Sequence, residues 1–102
     1  MRKLHLSPAA AEDLENILQY TLDTWGEKQF NVYLNSFQQA FDSILLDPES
    51  VLSKKRDELF SDCRSINSGH HIVFFRLKNR NIEIIRVLHE KMDFLRHFEE
   101  EE

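Results

Sequence analysis

Little in this chain can bend or clamp it: 102 residues contain two glycines, two prolines and one cysteine. The scarcity of glycine and proline excludes long flexible linkers and low-complexity repeats. A single cysteine, Cys63, excludes an intrachain disulfide and a cysteine-based zinc site, and fits a reducing compartment. Flanked by strand-like residues, Cys63 reads as a small packing residue rather than a reactive thiol. No apolar run approaches the length of a membrane span. Arg2-Lys3 is followed by Ser7-Pro8 instead of an apolar leader segment, so neither export nor insertion is expected and the chain is placed in the cytoplasm.

An excess of positive charge is also missing. The net charge is −5, unevenly placed. Residues 1–53 carry three basic side chains against eight acids, residues 54–96 carry ten against six, and Glu99–Glu102 is an acidic tail. A protein that grips nucleic acid through its phosphates is usually basic overall. This balance argues against sequence-specific nucleic-acid binding and for a protein partner.

Periodicity supplies the elements. Arg2–Leu6 alternates as a short strand. Ser7-Pro8 is a helix start, a hydroxyl for the free N–H groups and proline in the first turn. Ala10, Leu14, Ile17, Leu18, Thr21, Leu22 and Trp25 mark one stripe of a helix from Pro8 to Trp25, stopped by Gly26. A second helix starts near Glu27, with Phe30, Tyr33, Leu34, Phe37, Phe41, Ile44 and Leu45 three and four apart, and ends at Asp47-Pro48. This aromatic stripe reads as core rather than as a ligand box.

Residues 49–62 read as a polar connector pinned by Leu59 and Phe60, with Lys54-Lys55-Arg56 as a solvated loop. Short strands follow at Arg64–Asn67, His71–Leu77 and Ile82–Leu88, joined by turns at Ser68-Gly69 and Lys78–Asn81. The alternation of the last strand places Ile82, Ile84, Arg86 and Leu88 on one face and Glu83, Ile85, Val87 and His89 on the other. Met92–Phe98 is a short helix or docked extension.

The expected fold class is α+β in the order β-α-α-β-β-β. An N-terminal helical hairpin packs on one face of a small, mainly antiparallel sheet, and the first strand lies at an edge. One domain spans residues 1–98, followed by the tail at 99–102. The second sheet face is expected to stay partly open for a partner.

Four words in this order resemble the RelE/ParE toxin superfamily. Leu6-Ser7-Pro8-Ala9-Ala10-Ala11-Glu12-Asp13-Leu14 is similar to its opening, and Trp25-Gly26 to its inter-helix turn. Cys63–Arg76 is similar to its central strands. Ile82-Glu83-Ile84-Ile85-Arg86-Val87-Leu88-His89-Glu90-Lys91-Met92-Asp93 is similar to the ending of the ParE branch. The resemblance covers Leu4 to Phe98.

It implies the toxin of a type II toxin–antitoxin module: a ParE-like inhibitor of DNA gyrase, neutralised by a ParD-like antitoxin. That toxin would be a binding poison without catalytic residues, cofactor or metal. Arg64, Arg76, Arg86, His89, Lys91 and Asp93 are the candidates for target contact. Trp25, Phe74, Arg76, Met92 and Phe94 are the candidates for antitoxin contact, over the hairpin's outer surface and the open sheet edge. The alternative is a RelE-like, ribosome-dependent mRNA endoribonuclease using His89, Arg86 and Arg64. Against it, the central strand opens with His70-His71 where arginine is usual, and the only tyrosines, Tyr20 and Tyr33, lie in helices. A further alternative is a component that binds antitoxin without toxicity. Arg86, among apolar neighbours, needs a carboxylate partner unless it marks an exposed face. His70 and His71 point to opposite faces of a strand and do not suit one metal ion.

Overall fold

The computed structural model describes residues 2–99, so the acidic tail beyond Glu99 lies outside the described residues. The elements are β1 (Leu4–Leu6), α1 (Pro8–Trp25), α2 (Glu27–Leu46), β2 (Lys54–Lys55), β3 (Arg64–Ser68), β4 (His71–Lys78), β5 (Asn81–His89) and α3 (Phe94–Glu99). Both long helices have the bounds expected from their capping residues. The Ser7 hydroxyl accepts the Ala10 N–H at 3.0 Å and donates to the Ile85 carbonyl at 2.7 Å, so one side chain caps α1 and ties it to the sheet. Gly26, at φ 90°, ends α1 and begins α2, a conformation that a side chain would strain.

One five-stranded sheet runs in the order β1-β5-β4-β3-β2. β3, β4 and β5 form the expected antiparallel meander, and β1 is the expected edge strand, parallel to β5. The helices cover one face. Ala10, Phe37, Ala40 and Ile44 close on Ile66, Val73, Phe75, Ile82, Ile84 and Val87.

Three expectations need correction. β5 carries a bulge: Phe75 pairs with Ile84 and Phe74 with Arg86, leaving Ile85 as an extra residue. The inserted residue reverses the alternation, so Val87 joins Ile82 and Ile84 in the helix-side core while Leu88 goes to the opposite face. Second, Lys54-Lys55 forms a short edge strand against Ser65 and Arg64 instead of a free loop. Both lysines are exposed, a charged edge that discourages further pairing.

Third, the second sheet face is covered. Cys63, Ile72, Phe74, Leu88 and Phe98 form a second core, with Leu59, Phe60, Ile85 and Phe94 packed on it. The connector is pinned as expected, and α3 supplies the lid. β4 therefore buries both faces, which is why its apolar run is nearly continuous.

The β4–β5 hairpin turns through Asn79 and Arg80, with φ of 53° and 73°. A two-residue turn of this kind favours glycine at its second position, and arginine there is strained. Arg80→Gly is expected to raise stability by about 0.5–1 kcal/mol, read as a higher urea midpoint. An unchanged or lower midpoint would contradict this.

Candidate functional site

The charged residues of the sheet are tied within the fold. Arg86 donates from Nε to Asp13 Oδ2 at 2.7 Å and from Nη2 to Oδ1 at 2.9 Å, and both side chains are largely buried. Asp13 Oδ2 also accepts the Val87 N–H at 3.0 Å. β1 pairs with β5 only as far as Ile84, so Asp13 continues the hydrogen bonding along that edge. Arg86 thus has the carboxylate partner its setting requires.

Arg76 is half-exposed and pairs with Glu83 at 2.9 Å. Arg64 donates from Nε to the Ser53 hydroxyl at 3.0 Å. Cys63 is fully buried, and its thiol is pushed up to about 12, first by burial and then by the charge of Glu58. It is a packing residue, not a nucleophile.

The remaining candidates fall into two places. Lys91, Met92 and Asp93 lie exposed in the turn between β5 and α3. Phe94 is half-buried and meets Phe74 edge-on at 5.0 Å. Phe74, expected to contact a partner, is fully buried beneath α3, because the second face is closed. It can meet a partner only if α3 leaves.

Trp25 and His89, 64 positions apart, line one cleft of about 370 Å³ with Tyr20, Tyr33, His70 and His71. Trp25 is 67% exposed, and Tyr20 is similarly open. Sequence reasoning assigned no site role to Tyr20, Tyr33, His70 or His71. Their convergence requires the α1–α2 turn to fold over the ends of β4 and β5, and no local spacing reports that.

The imidazoles are arranged by identifiable bonds. His89 Nδ1 accepts the Lys91 N–H at 3.2 Å, so its neutral ring carries the proton on Nε2. His70 Nδ1 lies 3.0 Å from Glu90 Oε1, which leaves its Nε2 turned away from the carboxylate. The His71 ring sits edge-on to Phe37 at 5.8 Å and to His89 at 5.3 Å. Among the described residues no group of three or more His, Cys, Asp or Glu is placed to hold a metal ion.

Burial lowers the His71 imidazole below its ordinary value, and the His89 and His70 rings lower it further, partly opposed by Glu90. Unfolded, His71 takes up a proton near pH 6.5. The folded state therefore binds fewer protons as the pH falls through that value. Stability associated with neutral His71 is present above about pH 6.5 and lost progressively below it. The urea midpoint should fall between pH 7.5 and 5.5, and should fall less in His71→Phe. Equal losses in both proteins would contradict this assignment.

Comparison with known proteins agrees with this architecture. Residues 4–94 match the model of the ParE toxin of the type II toxin–antitoxin system parDE. The chain is 37% identical over 89 residues to Toxin ParE1 of Mycobacterium tuberculosis, covering 86% of this chain and 89% of that one. It is 34% identical over 97 residues to Toxin ParE1 of Caulobacter vibrioides, covering 95% and 98%.

Among solved structures, the chromosomal ParDE system from P. aeruginosa superposes with a TM-score of 0.72 at 18% identity, covering 87% of this chain and 96% of that one. The RelBE2 toxin–antitoxin complex of Mycobacterium tuberculosis gives 0.62 at 17% identity, covering 86% and 96%. These two share the fold. No helix among the described residues is long and apolar enough to cross a membrane. With the family model matched across nearly all of its elements, the chain belongs to the ParE toxin family of type II toxin–antitoxin systems.

Proposed function

We propose that this toxin inhibits DNA gyrase as a binding poison and is neutralised by a ParD-like antitoxin that wraps it. The observation that carries this reading is the state of the sheet arginines. Cleaving RNA without a metal needs a base, an acid and cations free to meet the phosphate. Arg86 is engaged by Asp13, Arg76 by Glu83 and Arg64 by Ser53. Family membership and the ParE-like ending through Asp93 support the same choice. Arg76, His89, Lys91 and Asp93, on β4, at the end of β5 and in the turn after it, remain the candidates for target contact.

A second reading, a ribosome-dependent endoribonuclease, is favoured by one feature. The His70 and His89 rings are stacked 6.4 Å apart, His89 with a proton on Nε2 and His70 held at Nδ1 by Glu90. Such a pair could serve as acid and base. Expression without antitoxin separates the two. The gyrase reading gives DNA-damage signalling and filamentous cells without new RNA 5′ ends. Abundant cuts within translated codons, lost in His89→Ala, would reverse the order.

A further inference from the structure

The connector between α2 and β2 is a braced loop. The Asp47 carbonyl accepts the Ser50 N–H at 3.2 Å and the Ser50 carbonyl accepts the Ser53 N–H at 3.1 Å, so two turns follow one another. Short polar side chains hold those turns from within. Asp47 Oδ1 accepts the Glu49 N–H and Ser50 Oγ accepts the Leu52 N–H, both at 3.2 Å. The buried Ser53 hydroxyl donates to the Pro48 carbonyl at 2.9 Å and accepts from Arg64 Nε at 3.0 Å, which fastens the base of the loop to β3. Arg2 secures the end of α2, donating from Nη1 to the Leu45 carbonyl at 3.0 Å.

What this loop presents to solvent is apolar. Val51 is 99% exposed, Leu52 is 65% exposed, and Leu46 at the end of α2 is 86% exposed. A single exposed aliphatic is ordinary on a protein surface. Three in one short stretch, two of them in a turn that polar residues would serve equally well, contribute nothing to the core and mark a contact site. Lys54 and Lys55 follow directly, both exposed on the edge strand, and neither enters an ion pair among the described residues. The acids of the loop are Asp47 and Glu49, and the Asp47 carboxylate is engaged by the Glu49 N–H.

A binding poison needs an anchor, and the sheet arginines are engaged within the fold. We propose that the loop from Asp47 to Ser53 is the knob by which this toxin docks on DNA gyrase: Val51 and Leu52 enter an apolar pocket of the enzyme, and Lys54 and Lys55 meet carboxylates on its rim. This rests on the gyrase reading above, and adds an anchor across the sheet from β5 and the turn after it. The hydrogen bonds already fix the loop, so docking costs little further ordering. Two adjacent unpaired lysines select an acidic surface. A second copy of this chain has acids on its helical hairpin, but a knob-to-hairpin contact is head-to-tail and leads to open chains rather than a closed dimer.

The test combines two double variants with purified gyrase as the probe. Val51→Asp with Leu52→Asp removes no core contact, so the thermal midpoint should stay within about 4 °C of the unaltered chain. The concentration that half-inhibits supercoiling should rise about thirtyfold or more, and calorimetric affinity for gyrase should fall to match. Affinity for the antitoxin should stay within about threefold, because the loop faces the target. Lys54→Glu with Lys55→Glu should raise the half-inhibitory concentration about tenfold and flatten its dependence on salt. Lys78→Glu, at the β4–β5 turn, should inhibit as the unaltered chain does. If the first double variant fails to fold, the lysine pair decides alone.

Undiminished inhibition by the folded double variants, when the unaltered chain inhibits, would overturn the knob and leave the gyrase reading standing. No inhibition and no gyrase binding by the unaltered chain would remove both. Loss of antitoxin affinity in Val51→Asp with Leu52→Asp would assign the loop to the antitoxin and overturn the proposal. So would self-association of the unaltered chain that this variant abolishes while inhibition persists, which would assign the loop to a second copy.

Discussion

Asp13→Ala should destabilise the chain by about 3–5 kcal/mol, the usual consequence of removing one partner of a buried ion pair. Three donors lose their acceptor at once: Nε and Nη2 of Arg86, and the Val87 N–H. The bidentate, charge-assisted geometry adds to the loss. Against a total stability of about 5–15 kcal/mol for a domain of this kind, that is a large fraction. Asp13→Asn keeps an acceptor for one or two donors and should cost clearly less. Replacing both partners, as Asp13→Ala with Arg86→Met, should recover much of the single-variant loss, because no buried charge is then stranded. Urea unfolding of the four proteins measures this. A loss below about 1 kcal/mol in Asp13→Ala, in the range of an exposed pair, would show that the pair is solvated.

The second large effect is at Phe74. Phe74→Ala should cost about 3–5 kcal/mol through lost burial and the cavity left behind. The ring is fully buried, and Phe94 and Phe98 pack edge-on against it at 5.0 and 5.1 Å. The cost should therefore be accompanied by detachment of α3. Amide exchange within Phe94–Glu99 should accelerate more than exchange within α1, which packs on the opposite face of the sheet. Phe94→Ala, truncating a half-buried ring, should cost less. If α3 exchange were unchanged in Phe74→Ala, the second core would not be what holds that helix.

These two residues also mark where the sequence could be read and where it could not. The helix ends were legible because capping is local: Ser7-Pro8, Gly26 and Asp47-Pro48 each carry their reason within a few residues. The pairing of Arg86 was legible as a need, since a charge among apolar neighbours requires a partner, though not as Asp13, 73 positions away. The bulge at Ile85 was not legible. Ile84-Ile85 gives the same apolar signal whether or not a residue is inserted, so the faces of Val87 and Leu88 came out reversed. β2 has no sequence signal, because two exposed lysines carry no alternation.

The cover over the second face is hidden from the sequence for a related reason. Leu59, Phe60, Phe94 and Phe98 are sparse in sequence and become a layer only when the connector and α3 fold back over β4. The histidine cleft has the same origin. Tyr20, Trp25 and Tyr33 look like helix residues in excess of the core, and His70, His71 and His89 like strand-end residues. Their site is made by the chain path. The family resemblance, by contrast, depends on ordered words and was visible at once.

Binding to gyrase, with the sheet arginines engaged internally, is the mode of action proposed for this toxin. Supercoiling of relaxed plasmid by purified gyrase and ATP tests it most directly, with the chain added alone and after incubation with its antitoxin. Supercoiling should be blocked by the chain, with cleaved DNA accumulating, and restored by the antitoxin. Normal supercoiling at high molar excess of correctly folded chain would contradict the claim.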